Sequence, residues 1–245
     1  MIKKLFTRNQ PQAHAPEGER LYAIGDIHGC ISELNALLKL IEKDANSDLE
    51  TRIIFLGDYV DRGPDSNAVI QRLIEFGEEN ENAVFLKGNH EAAMLDFLYD
   101  PEDMIQWLDW GGEETLKSYG IGSVLGRTRE DISDEVAEKI PEDHIAFLEN
   151  LDLTYFAGDY LFVHAGVRPG VALKDQQEED LLWIRKPFQN ASADERPEQT
   201  VVHGHQPIKA PRDAGWRINV DTGACWSGML SAVVLEGDER RFITT

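Results

Sequence analysis

Five short segments of this sequence carry residues that can hold metal ions or phosphate: Gly25-Asp26-Ile27-His28-Gly29, Gly57-Asp58-Tyr59-Val60-Asp61-Arg62-Gly63, Gly88-Asn89-His90-Glu91, Val163-His164-Ala165-Gly166 and Val202-His203-Gly204-His205. Five of the seven histidines fall inside them, leaving only His14 and His144 elsewhere. A lone histidine near a strand end is ordinarily a satisfied polar residue. Five in the company of Asp and Asn point instead to a shared site. Mixed Asp, Asn and His donors suit Mn2+, Fe or Zn2+, borderline ions that accept both oxygen and imidazole nitrogen. No cysteine joins the set, which argues against a structural zinc site and for a catalytic one. Asp26 and His28 lie two residues apart, so in an extended segment both side chains project to one side and can share an ion.

Apolar patterning supplies the elements that would bring these segments together. Leu21-Tyr22-Ala23-Ile24-Gly25 reads as a buried strand, followed by Ile31, Leu34, Leu37, Leu38 and Ile41 at helical spacing. The pattern repeats with a strand over 52–57 before Val69, Ile70, Leu73 and Ile74, and with a strand over 83–86 before Met94, Leu95 and Leu98. Three βα units predict a parallel sheet with right-handed crossovers, and ligands of such sheets bind beyond the carboxyl ends of the strands. Each of the first three segments closes one of these strands. Further on, Thr154-Tyr155-Phe156, a Gly158-Asp159 turn and Tyr160-Leu161-Phe162-Val163 give a hairpin signal, with strands expected at 200–202, 217–220 and 230–235. Residues 1–20, with two prolines and no apolar periodicity, read as a mobile tail before a single domain over 21–245. A mainly helical insertion is expected near 92–150, and residues 175–180 and 192–198 read as polar surface loops.

Composition narrows the partners. Lys plus Arg number 24 against 45 Asp plus Glu, a net charge of −21 that disfavours nucleic acid and anionic membrane surfaces. No apolar run approaches the roughly 20 residues of a spanning helix. The start of the chain offers no secretory h-region, and two cysteines are too few for a disulfide framework, so a cytoplasmic protein with reduced thiols is expected. Nothing in the sequence speaks to oligomeric state.

Gly-Asp-Ile-His-Gly, Gly-Asp-Tyr-Val-Asp-Arg-Gly and Gly-Asn-His-Glu, in this order, resemble the signature of the phosphoprotein phosphatase branch of the calcineurin-like metallophosphoesterases. The resemblance continues through His164-Ala165-Gly166, Leu182-Trp183-Ile184-Arg185, Gly204-His205-Gln206-Pro207 and Asp221-Thr222-Gly223. In its compact length the chain is most similar to the bacterial and bacteriophage-type serine/threonine protein phosphatases. The resemblance implies an α/β, four-layer fold: a central β-sandwich of mixed sheets flanked by helices. It implies a centre of two divalent ions, Mn2+ first and an Fe/Zn pair as the alternative, with Asp26, His28 and Asp58 on one ion and Asp58, Asn89, His164 and His205 on the other. It further implies attack by a metal-bridging hydroxide, phosphate clamping by Arg62 and Arg185, and His90 as general acid oriented by Asp61. The implied activity is phosphomonoester hydrolysis on a phosphoserine or phosphothreonine protein, or on a phosphorylated small molecule. The enzymatic alternative is a diadenosine tetraphosphate hydrolase of the symmetrical type, and Asp61 tips the choice towards the protein phosphatase. A phosphate-binding scaffold without catalysis is the alternative of another class.

One departure concerns the late motif. Gly-His-x-His is common in the wider family, whereas here Gln206-Pro207 follows His205 and the additional His203 precedes the glycine. His205 is therefore the expected ligand, and His203 is either a supporting or phosphate-proximal neighbour or a bystander. Gly120 to Gly126 imitates a dinucleotide fingerprint, but no helical pattern follows it and a flexible turn is expected. Aromatic core packing is the preferred reading for Trp107, Trp110 and Trp226 over a substrate groove.

Overall fold

The computed structural model describes residues 12–45, 48–102 and 104–245. Strand β1 (Glu19–Ile24) leads to helix α1 (Ile31–Asp44), β2 (Glu50–Phe55) to α2 (Ser66–Glu79), and β3 (Val84–Phe85) to α3 (Asn89–Tyr99). A 3-10 helix (Ile105–Trp110) and helices α4 (Gly112–Ser118), α5 (Arg129–Lys139) and α6 (Glu142–Glu149) come next. The chain then forms β4 (Thr154–Ala157), β5 (Tyr160–Val163), the short helices α7 (Glu178–Trp183) and α8 (Lys186–Gln189), β6 (Thr200–His203), β7 (Arg212–Asp213) and β8 (Arg217–Asn219). A single turn, α9 (Ala224–Ser227), precedes β9 (Ser231–Glu236) and β10 (Glu239–Thr244).

Two mixed five-stranded sheets result. The first runs β10-β9-β1-β2-β3, with β1, β2 and β3 parallel and β9 antiparallel to β1. The second runs β4-β5-β6-β8-β7, with β5, β6 and β8 parallel and an antiparallel strand at each edge. Period-two alternation sorts each strand between layers. Leu21 and Ala23 of β1 join Tyr160, Phe162, Val202 and Ile218 between the sheets, whereas Tyr22 and Ile24 pack outward with Leu34, Leu37 and Leu73 of α1 and α2. On the far side, Leu161, Val163 and Val201 meet Leu181 of α7 and Phe188 of α8. Each fully buried side chain of this size stabilises the fold by roughly 1.5–3 kcal/mol, and the order is helices, sheet, sheet, helices. Among the described residues, no helix is long and apolar enough to cross a membrane.

Four local expectations differ from what is found. Residues 12–20 pack on the body: Ala13 and Ala15 lie in the inter-sheet core, the Ala15 N–H donates to Gly237 O at 2.8 Å, and β1 already begins at Glu19. Alanines carry too little hydropathy to show a pattern, yet they fit a closely packed sheet end. The rest of the expected tail, residues 1–11, lies outside the described residues. Helix α7 starts at Glu178, inside the segment read as a polar loop, because Asp180 is buried against Arg168, whose Nε donates to it at 2.6 Å. Helix α5 follows the Gly120–Gly126 segment; Thr128 caps it by accepting from the Asp131 N–H, although its apolar face is reduced to Ile132 and Val136. Finally, β10 was not expected, since Glu239-Arg240-Arg241 hides an edge strand whose Phe242 packs against the inter-sheet core.

Candidate metal centre

The loops after β1, β2 and β3 and those after β5 and β6 open at one end of the sandwich, and their side chains meet around Asp58. His28 Nε2 lies 3.5 Å from Asp58 Oδ2, His164 Nε2 lies 3.4 Å from Oδ1, and His90 Nε2 lies 4.0 Å from Oδ2. Two groups have the spacing of a metal cage, His28-Asp58-His90 and Asp58-His164-His205, with Asp58 common to both. Asn89 Oδ1 sits 2.9 Å from His164 Nε2 and 2.8 Å from His205 Nδ1. Asp26 enters from the other side, with both its oxygens 3.1 Å from the His205 N–H. Arg62 reaches His28 and, at 2.8 Å, His90; Arg185 Nε lies 3.2 Å from His205 Nε2. All ten residues singled out in the sequence therefore come to one place. His90 rather than Asp26 falls in the first compact group. His203 stands outside both groups: its Nδ1 lies 3.0 Å from Gly204 O, its Nε2 lies 3.2 Å from Arg217, and its ring meets Phe188 edge-on.

Backbone conformation explains how loops so short present so many groups. Among the described residues, the non-glycine residues with positive φ are His28 (46°), Asp58 (54°), Asp61 (73°), Arg62 (68°) and His205 (64°). The left-handed region costs an L-residue about 1–2 kcal/mol, so the surroundings must hold each one there. Glu91, wholly buried, does so for the β2 loop by accepting the N–H groups of Asp58 at 2.8 Å, Tyr59 at 2.7 Å, Val60 at 3.2 Å and Gly88 at 2.9 Å. Glycine is required at 88, where a Cβ would overlap Asp58 and Glu91, and at 204, where it would overlap Asp26. Asp61 is fixed from the insertion: Trp107 Nε1 donates to it at 2.8 Å and Thr115 Oγ1 at 2.6 Å, while His90 Nδ1 lies 2.6 Å from the same carboxylate.

The electrostatics fit divalent cations. His164 Nδ1 donates to Leu56 O at 2.9 Å and His28 Nδ1 to Val60 O at 2.7 Å, so each Nε2 turns a lone pair towards Asp58. Lone pairs of His164, Asp58 and Asn89 thus face one another in a buried space, a repulsive arrangement that a cation turns into attraction. Burial pushes His28 and His205 down to about 3, which keeps these imidazoles neutral, as ligands must be. Burial alone would raise Asp58, but the imidazoles around it, His164 foremost, take up charge as pH falls and hold it far below the ordinary carboxylate range. His90 differs. Burial opposes its charge, yet Asp58 and Asp61 outweigh it and raise His90 above the usual value, while burial also lifts Asp61.

Reading the residues alone overlooks three contributors. Glu91 and Asp221 both lie inside quoted motifs without an assigned task. Asp221, pushed up to about 6 by burial, neighbours Asp26 and accepts the Gly223 N–H at 2.8 Å. Thr115 belongs to the insertion, where no spacing signals a link to Asp61.

Comparison with known proteins agrees with this geometry. Residues 19–226 match the calcineurin-like phosphoesterase family. An asymmetrical bis(5'-nucleosyl)-tetraphosphatase, PrpE, of Bacillus cereus (strain Q1) is 28% identical over 229 residues, covering 86% of this chain and 88% of that protein. A crystal structure provisionally named as a diadenosine tetraphosphatase superposes with a TM-score of 0.66 at 22% identity, over 95% of this chain and 98% of that one. A protein serine/threonine phosphatase from Saccharomyces cerevisiae gives 0.58 at 17% identity, over 93% and 79%. At such identities the two structures speak for the fold, and the family match spans most of the sequence. With its two mixed sheets, its flanking helices and the donors gathered at one end, the chain belongs to the calcineurin-like phosphoesterases, metal-dependent hydrolases of phosphoesters.

Proposed function

We propose that this protein hydrolyses dinucleoside tetraphosphates, using two divalent ions held by Asp26, His28, Asp58, Asn89, His164 and His205. The observation that carries the reading is the convergence of lone pairs from both sheets on Asp58, directly beside the guanidinium groups of Arg62 and Arg185. The oxygen and nitrogen donor set suits Mn2+, with Fe or Zn2+ as the other borderline ions. The substrate class rests on the curated relatives, named as asymmetrical tetraphosphatases over most of the chain. This departs from the symmetrical type anticipated as the alternative in the sequence. Two free cysteines accord with action in a reducing compartment.

When bound, the ions supply Lewis acidity at the phosphoryl oxygens and acidify a water. The protein's own groups do the rest. Arg62 and Arg185 donate to phosphoryl oxygens, orient them and oppose the charge that builds in the transition state. His90, held by Asp61 through Nδ1, points Nε2 at the cage and passes its proton to the departing oxygen.

A second reading, serine/threonine protein phosphatase, is favoured by that same Asp61–His90 contact. A serine alkoxide is far more basic than a departing polyphosphate and needs the proton more. The two readings separate when diadenosine tetraphosphate and a phosphoserine peptide are hydrolysed side by side with Mn2+ and the nucleotides are resolved by anion exchange. AMP with ATP is the expected product pair. ADP alone would make the cut symmetrical, and a preference for the phosphopeptide would overturn the dinucleotide reading.

A further inference from the structure

Trp226 lies beside the cage and mostly in water, with 65% of its surface exposed. The short helix α9 that carries it is pinned by buried Ala224, and its ring rests near Gly223 and Pro207: a Cβ at Gly223 would come within 3.2 Å of the ring and 3.4 Å of Pro207. The Arg62 guanidinium lies 4.9 Å from the ring centroid. That guanidinium also reaches His28 and His90 in the cage. One side chain therefore separates an exposed indole from the reacting centre. Core packing, the sequence expectation for Trp226, does not describe it; Trp107, fully buried, meets that expectation.

An exposed indole next to a phosphate clamp has the two ends of a nucleoside 5'-phosphate laid out in order, an aromatic face and then a guanidinium. We propose that Trp226 is the platform on which the base of the nucleoside attached to the attacked phosphorus stacks. The proposal rests on the dinucleotide reading above and adds a reason for the position of the cut. A base seated this close to the cage makes the phosphorus nearest its own ribose the one attacked. Water adds to that phosphorus, and the P–O bond to the next phosphate breaks. The oxygen of water stays on the nucleoside monophosphate, and the leaving oxygen, taking the proton of His90, ends on the nucleoside triphosphate.

Trp226→Ala and Trp226→Phe test this with two readouts. Stacking on an aromatic side chain is typically worth enough that its loss weakens binding about tenfold. Calorimetric titration should show AMP weakened about tenfold more than inorganic phosphate in Trp226→Ala, with most of the affinity restored in Trp226→Phe. With diadenosine tetraphosphate, KM should rise far more than kcat falls, and ADP should begin to appear beside AMP and ATP. Equal weakening of AMP and phosphate would overturn the proposal and leave Trp226 as a prop for Arg62, as would unchanged AMP binding. Should the unaltered protein leave diadenosine tetraphosphate intact, the dinucleotide reading fails, while the AMP titration still decides whether Trp226 holds a base.

Discussion

The two sheets furnish the cage in different ways. Loops of the first sheet brace themselves: Glu91 gathers four backbone N–H groups, and Asp61 sits under Trp107, Thr115 and His90. Loops of the second sheet contribute His164 and His205, and both take their orientation from the first: His164 from Leu56 O, His205 from Asp26 and Asn89. Apart from Asp26, which itself accepts the His205 N–H and neighbours Asp221, the orientation is set from the first sheet. The first sheet forms a preorganised half-site, and the second completes it by docking imidazoles onto atoms already in place.

Asp58→Asn offers the most severe trial of this asymmetry, since it removes the one carboxylate common to both halves. Turnover should fall to background and metal analysis should find both ions lost; retention of either ion would mean that the halves bind independently. Glu91→Ala strikes the bracing alone. Four buried donors lose their acceptor, and at about 1–3 kcal/mol for each unsatisfied group the loss should reach at least about 4 kcal/mol in chemical denaturation. An unchanged midpoint would deny the first sheet its privileged part. His90→Asn should keep both ions and lower turnover about 100-fold, within the usual range for a proton donor; full turnover would remove His90 from that task. His205→Ala should cost one ion of two and no more than about 1 kcal/mol of stability, because the bond that Asp26 accepts comes from the backbone N–H, which alanine keeps. A loss as large as that of Glu91→Ala would make the dependence mutual.

The smallest effect lies outside the cage altogether. His144 is buried in the insertion, 2.8 Å from Tyr119 Oη and 3.1 Å from Gln71 Oε1, and burial lowers its pKa. A neutral native imidazole gives stability that is complete above the unfolded value near 6.5 and is lost as pH falls through it and towards the lower folded value. His144→Phe should therefore flatten the decline of stability between about pH 7 and 5 without altering metal content. A parallel decline would assign that slope to the cage histidines.

Legibility in the sequence follows the physics of each region. Central strands such as β1 and β2 announce themselves because both faces are buried, and their ends announce the site because metal donors are rare in such runs. Edge strands do not: β10 spends its register on Glu239 and Arg241, and β7 is only two residues of charged chain. Residues that act on backbone at long range were equally hidden. Glu91 reads as part of a motif, yet its partners are N–H groups some 30 residues upstream, and no side-chain pattern records where a backbone N–H points. Trp226 escaped for a different reason, since aromatic character is visible in sequence and exposure is not.

The left-handed turns at His28, Asp58, Asp61, Arg62 and His205 leave this fold with an unusual opportunity to trade. Glycine at any of these positions would relax the backbone by about 1–2 kcal/mol and forfeit the side chain. At Asp61 the exchange fails, because the Trp107 and Thr115 donors would lose their buried acceptor.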